Sequence, residues 1–180
     1  MKKIVYPAPS EWEALFQRAG QDYKNVHEVV APILADVKSR GDEALREYGQ
    51  KFDQVIIENF AVSEAEIQAA IQQVPQELKE AIQLAKQNIE QFHASQQESE
   101  KEVETMPGVV CWRRSLAIEK VGLYIPGQKA PLFSTLLMLG VPALMAGCQE
   151  IVICTPPRAD ASIHPVVLYT AHLLGIPKIF

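Results

Sequence analysis

Through the first hundred residues the apolar positions recur every three or four places, whereas beyond about residue 105 they gather into short continuous runs. The first pattern predicts helices that bury one face, the second predicts strands. Asn25 is placed to cap a helix in which Val26, Val29, Val30, Ile33, Leu34 and Val37 share a face. Pro32 interrupts that run and predicts a kink or a late start near Ala31. Gly41 supplies a stop, and Asp42 caps a second helix from Glu43 to about Phe52. Ser63-Glu64-Ala65-Glu66 reads as a capping box that opens a helix to Val74. Pro75 suits the first position of a long helix to about Ser95, with the stripe Leu78, Ile82, Ala85, Ile89 and Phe92.

Beyond this stretch, Val109 to Arg114 and Ile118 to Ile125 read as strands, and Pro126-Gly127-Gln128-Lys129 breaks the chain. A helix is predicted from about Leu132, interrupted at Gly140-Val141-Pro142 and ended by Gly147. Ile151-Val152-Ile153-Cys154 has the unbroken apolar character of a strand buried on both faces, and Pro156-Pro157 ends it. Ser162 is placed to cap a helix through Leu174, Gly175 closes it, and Ile179-Phe180 opens a further strand. Alternation of strand and helix with short loops predicts parallel strands joined by right-handed crossovers. Ligands of such sheets bind beyond the carboxyl ends of the strands, here at Tyr124-Ile125-Pro126-Gly127 and Thr155-Pro156-Pro157. The helix start near Leu132, with Lys129, offers a phosphate free N–H groups and a positive charge. The segment lacks a Gly-x-Gly-x-x-Gly fingerprint, so pattern alone leaves an ordinary strand-to-helix turn open. A parallel sheet that stops two residues into its third strand leaves a pairing edge, and the chain is therefore expected to be a piece of something longer.

Composition narrows the classes. With 48% hydrophobic and 22% charged residues, a chain of 180 is a folded protein, one domain or one domain with a helical arm. No window holds about 18 uninterrupted apolar residues, and the basic start lacks the apolar core of a signal peptide. Cys111, Cys148 and Cys154 form no disulfide framework, which suits a reducing cytoplasm, and a net charge of −5 gives nucleic acid no basic face. Residues 1–104 hold 19 acids and 11 bases, residues 105–180 only 3 acids and 6 bases together with eight of the twelve prolines. The expected division is a helical region, 1–104, and an αβ domain, 105–180, joined near Pro107-Gly108. In the helical region His27-Glu28 are adjacent and do not face each other, so they form a solvated pair, and His93 is a surface or capping residue. His164 and His172 stand about two helical turns apart on one face. That spacing is not the three or four usual for helical metal ligands, and no third ligand is evident.

The run Val121-Gly-Leu-Tyr-Ile-Pro-Gly127, with Ala130 to Thr135, Met138 to Ala143, Ala146-Gly-Cys148 and Thr155-Pro-Pro157, resembles the N-terminal part of histidinol dehydrogenase. Gly41-Asp-Glu-Ala-Leu45 and Lys51-Phe-Asp53 fit the same family in the same order. The sequence departs at Gln128-Lys129, where the family usually has a second glycine and then a small residue. The resemblance implies an α/β fold in which an N-terminal helical arm precedes an incomplete Rossmann-like parallel sheet of the aldehyde dehydrogenase/histidinol dehydrogenase kind. It also implies a cytoplasmic, homodimeric, zinc-containing enzyme that oxidises L-histidinol to L-histidine by two hydride transfers to NAD. Tyr124 matches the family's NAD-contacting tyrosine, and Pro126, Pro156 and Phe52 match residues lining the nucleotide pocket. Ser134 is read as an ordinary first-turn residue. The family's zinc ligands and catalytic Glu-His pair lie beyond the position matching Phe180, so no residue here takes a metal or catalytic role and the chain alone is expected to be inactive. The competing reading is a non-catalytic binding or dimerisation module that retains the fold, motivated by the amphipathic helices, and a weaker one is an unrelated nucleotide-binding αβ domain.

Overall fold

Several helices begin where the sequence provides a cap: the side chains of Ser63 and His164 each accept a first-turn N–H, and Pro75 stands at a third start. The computed structural model describes residues 4–16, 23–127 and 130–180, and of residues 23–25 the backbone alone. Gln128 and Lys129, and with them the expected phosphate-attracting charge, lie outside the described residues. By contact the chain divides into Met1–Leu45 and Arg46–Phe180.

In the first unit a 3-10 turn, Pro9–Glu11, leads into α1, Trp12–Phe16, and the indole N–H of Trp12 donates to the Pro7 carbonyl at 3.2 Å. The next helix, α2, runs Tyr23–Arg40, so Asn25 is inside it rather than at its cap. Pro32 is also inside, and the expected late start does not occur. A proline costs an interior helix one hydrogen bond, a loss the long flanking turns absorb. The bidentate pair of Arg40 on Asp36, 2.7 Å at both contacts, ties the last turn. Val26, Val29, Val30 and Leu34, expected to be buried, are all exposed. Asp42 begins α3, Asp42–Tyr48, which is shorter than expected because a π turn, Gly49–Asp53, follows and Gln54 ends it at φ 58°. That turn stacks Phe52 on Tyr48, ring centroids 5.8 Å apart and nearly parallel.

The second unit carries the core. The capping box of α4, Glu64–Gln73, forms as the sequence indicates: Ser63 N–H donates to the Glu66 carboxylate at 2.8 Å, and Glu66 N–H donates to Ser63 Oγ at 3.3 Å. Pro75 caps α5, Gln76–Ala94, whose Ile82 is buried with Leu78, Ala85 and Ile89 packed around it, while Phe92 is exposed. His93, in its last turn, bonds the Gln96 amide at 2.7 Å. Two antiparallel strands follow, β1, Glu102–Met106, and β2, Val109–Trp112. The first was not legible in the sequence. Its turn uses Gly108 at φ 82°, a conformation that costs glycine nothing.

Three parallel strands, β3 (Lys120–Tyr124), β4 (Glu150–Cys154) and β5 (Lys178–Ile179), form the main sheet in that spatial order. Leu123, Ile125, Ile151, Ile153 and Ile179 are buried, whereas Gly122, Tyr124, Cys154 and Lys178 are exposed. One face is therefore covered and the other open, which corrects the expectation that β4 is buried on both. The covered face meets α6, Phe133–Ala146, and α7, Pro165–Leu173, and the same apolar cluster takes in Ile67, Ala70 and Val74 of the α4 region and Ile82 of α5. At the open edge of β5 the Ile179 carbonyl already accepts the Val62 N–H at 2.9 Å. At the amino ends of the strands Glu150 bonds Lys178 at 2.7 Å and Lys120 at 3.2 Å, contacts that hold its carboxyl below the usual range.

Two helix boundaries differ from expectation. Helix α6 passes unbroken through Gly140-Val141-Pro142, because its burial on the sheet outweighs one missing hydrogen bond. A Cβ on Gly140 would come within 2.7 Å of Leu174 Cδ1, so this position lets the two layers close. Helix α7 is capped by His164 and not by Ser162: the ring Nδ1 of His164 accepts the Val166 N–H at 3.3 Å, and Pro165 fills the first position.

Two stability predictions follow from this packing. Ile153 is fully buried in the central strand, and Ile153→Ala is expected to cost about 2–5 kcal/mol in urea unfolding through the cavity it leaves. Burial, and then the charge of Arg158, hold the His164 pKa below its ordinary value. The unfolded chain therefore binds this proton first, and stability falls as pH drops through about 6.5 and levels off below the folded pKa. His164→Asn, which can cap but does not titrate, should flatten that part of the melting temperature against pH curve; an unchanged slope would refute the assignment.

Candidate nucleotide-binding site

The parallel ladder fixes where the strand ends emerge. Tyr124 is in register with Cys154, and the pairing continues past both strands: Ile125 N–H donates to the Cys154 carbonyl at 2.8 Å, and Thr155 N–H to the Phe180 carbonyl at 2.9 Å. The turns after β3 and β4 thus leave the sheet at one level and meet. A Cβ at Gly127 would stand 3.3 Å from Thr155 Oγ1 and 3.8 Å from Pro156 Cγ, so the two turns lie so close that even a methyl group would need the Thr155 side chain to give way slightly. Both segments singled out from the sequence are in this way brought together.

Beside the contact lies a shallow recess of about 470 Å³ lined by Phe52, Asp53, Gly127, Pro157, Arg158, Ala159 and Asp160. Of the four residues expected to bind nucleotide, Phe52 lines it, with 56% of its surface exposed. The Lys51 ammonium sits 5.2 Å from the centre of the Phe52 ring. Pro126 is exposed and Pro156 half-buried, each one residue from a lining position. Tyr124 is 65% exposed and belongs to the open face of the sheet, outside the recess lining. Exposed aromatic rings and rigid prolines of this kind offer a base or ribose apolar contact at small entropic cost.

Asp53 lies in a motif that the sequence analysis quotes, without a role given to it, and Arg158 and Asp160 were not singled out in the sequence. The turn that carries the last two is closed by Arg158 N–H donating to the Ser162 carbonyl at 2.8 Å, with Ala161 at φ 63°. Asp160 Oδ1 accepts the Ser162 hydroxyl at 2.6 Å and the Ser162 N–H at 3.1 Å, and the Arg158 guanidinium is 3.7 Å from Oδ2. The Ser162 bonds hold the Asp160 carboxyl below the ordinary range, so it is charged at neutral pH. One signal was available: Asp160 is one of three acids in residues 105–180.

A larger concavity, about 700 Å³, opens between the segment after α5 and the β1–β2 hairpin, lined by Gln97, Lys101, Trp112 and solvated ion-pairing residues such as Arg113 with Glu98. This concavity belongs to the antiparallel hairpin and not to the parallel sheet, and the strand-end rule for parallel sheets favours the smaller recess. Among the described residues no three His, Cys, Asp or Glu side chains converge on a metal position. His164 stands at the cap of α7 with Nδ1 accepting the Val166 N–H, and His172 is exposed in its last turn.

Known proteins share this architecture. The family model described as histidinol dehydrogenase matches residues 16–180. Histidinol dehydrogenase of Bacteroides fragilis is 49% identical over 180 residues, all of this chain and 42% of the relative, and that of Bacteroides thetaiotaomicron is 50% identical over the same shares. The crystal structure of histidinol dehydrogenase from Elizabethkingia anophelis superposes with a TM-score of 0.89 at 49% identity, covering 96% of this chain and 40% of that one. The chain thus spans about two fifths of the length of the relatives it matches. On this evidence the chain belongs to the histidinol dehydrogenase family, matching its N-terminal part.

Proposed function

We propose that this chain forms the cofactor-holding part of an NAD-dependent oxidation of L-histidinol to L-histidine, carried out in the cytoplasm by a homodimer. The observation that carries the reading is the meeting of the turns after β3 and β4 at Gly127 and Thr155, with Phe52 beside them. Bound NAD would accept the hydride released from the substrate. Phe52 and Tyr124 would present flat apolar faces to its adenosine part, Pro126 and Pro156 would keep the turns rigid, and Gly127 would let backbone and ligand approach closely. The residues present do not fit a zinc centre, since no three candidate ligands come together among those described; no step is routed through the metal, and its ligands belong with the rest of the family's chain. The three cysteines are free, in keeping with a reducing compartment.

A second reading, a dimerisation module without catalysis, draws support from the exposed apolar residues of α2, Val26, Val29, Val30 and Leu34. A tight dimer in sedimentation with no NAD affinity would favour it.

Calorimetric titration of the 180-residue chain with NAD tests the first reading. Binding is expected, and Tyr124→Ala or Phe52→Ala should each weaken it about tenfold, the scale of one aromatic contact. Absence of any NAD affinity in the unaltered chain would sink the proposal. Given histidinol, zinc and NAD together, this chain alone should show no turnover.

A further inference from the structure

Strand edges present unpaired N–H and C=O groups, and proteins guard them with charge, brevity or cover. Among the described residues the two sheets have four edges, and three are guarded. The edge of β1 carries Glu102 and Glu104, and that of β3 begins at Lys120. The edge of β5 is two residues long, begins at Lys178, and has its Ile179 carbonyl taken by the Val62 N–H. The edge of β2 is Val109-Val110-Cys111-Trp112, uncharged, without proline, and rich in strand-forming side chains. Among the described residues no backbone hydrogen bond from beyond the hairpin reaches it. Every residue of both hairpin strands is exposed, and neither strand belongs to the apolar cluster. A two-stranded hairpin is marginal in water by itself and is stabilised by further strands.

Charge decides what can add to this edge. Laid antiparallel on a second copy of itself, β1 would set glutamate against glutamate, and like charges directly opposite destabilise a pair. The β2 edge meets no such conflict. A two-fold axis through Cys111 sets Trp112 against the partner's Val110, and Val110 against the partner's Trp112. Aromatic and β-branched side chains in these positions attract each other. Within the hairpin Glu102 lies opposite Trp112 and Glu104 opposite Val110, so the acids flank the resulting apolar stripe on its outer sides. The same register brings Arg114 to the partner's Gly108. In each copy the Gly108 N–H donates to the Glu104 carboxylate at 2.9 Å, so a cation arrives beside an anion at both ends. Arg114 is paired with Glu100 at 3.1 Å, an exposed contact that is exchanged at little cost.

We propose that two copies of this chain join at the β2 edge, each β2 pairing antiparallel with the other so that two hairpins become one four-stranded sheet. The proposal rests on the reading that the protein works as a homodimer, and it assigns that reading a surface.

Sedimentation of the full 180-residue chain over a range of concentrations tests this and should show a monomer in equilibrium with a dimer. Val110→Lys places an ammonium in the apolar stripe and should weaken the dimer at least about tenfold. Val29→Lys, on the exposed side of α2, should leave it unchanged. Directly opposed residues hold their Cβ atoms about 4.5–5.5 Å apart, so oxidised glutathione should link Cys111 to the partner's Cys111. Cys154 is also exposed and reports chance collisions, so it should link far less. Thermal melts check folding, and Val110 stands outside the core, so its variant should melt with the unaltered chain. A dimer that survives Val110→Lys or dissociates with Val29→Lys overturns this surface and leaves the homodimer reading standing. A disulfide yield at Cys111 no greater than at Cys154 does the same. A chain that stays monomeric at every concentration overturns both.

Discussion

The row of Leu123, Ile125, Ile151, Ile153 and Ile179 on one face of the parallel sheet is the constraint on which the rest depends. Because successive strand residues point to opposite faces, burying this row fixes the register of all three strands at once. That register decides that Tyr124 and Cys154 end level with each other, and hence that the turns beyond them meet. A slip of one residue in a strand would turn its buried aliphatic residues to solvent and, in β3, carry Tyr124 into the core. The recess is in this sense a by-product of burying aliphatic side chains on α6 and α7.

Much of this was legible in the sequence, for identifiable reasons. The capping box at Ser63-Glu66 was readable because both reciprocal bonds lie within four residues. The β3, α6, β4, α7 succession was readable from apolar runs punctuated by glycine and proline. What escaped depended on tertiary packing. Continuous hydrophobicity in β4 suggested two buried faces, yet only alternate residues are covered. Pro142 suggested a break, yet burial carried the helix through it. Strand β1, Glu-Val-Glu-Thr-Met, is polar at alternate places and pairs only with its neighbour in the hairpin, so its signal is not local.

The site was legible in outline and not in detail. Family motifs marked Tyr124, Pro126, Pro156 and Phe52, and of these Phe52 faces the recess. Its position depends on the π turn Gly49–Asp53, which no residue pattern announces. Asp160 and Arg158 escaped because a charged turn usually signals nothing beyond solvent. Only the fold shows that this one closes over a strand end, pinned by Ser162.

The bare α-carbon at position 140 has a consequence beyond local fit. Interiors at crystal-like density pass displacement along instead of absorbing it. Even a methyl group there would overlap Leu174 Cδ1, so the Leu174 side chain would have to swing aside. Leu174 follows directly on α7, so the disturbance would be shared by the two helices that cover the sheet. A single added carbon in the helical layer would then be read out as looser packing of the layer that holds the sheet in register.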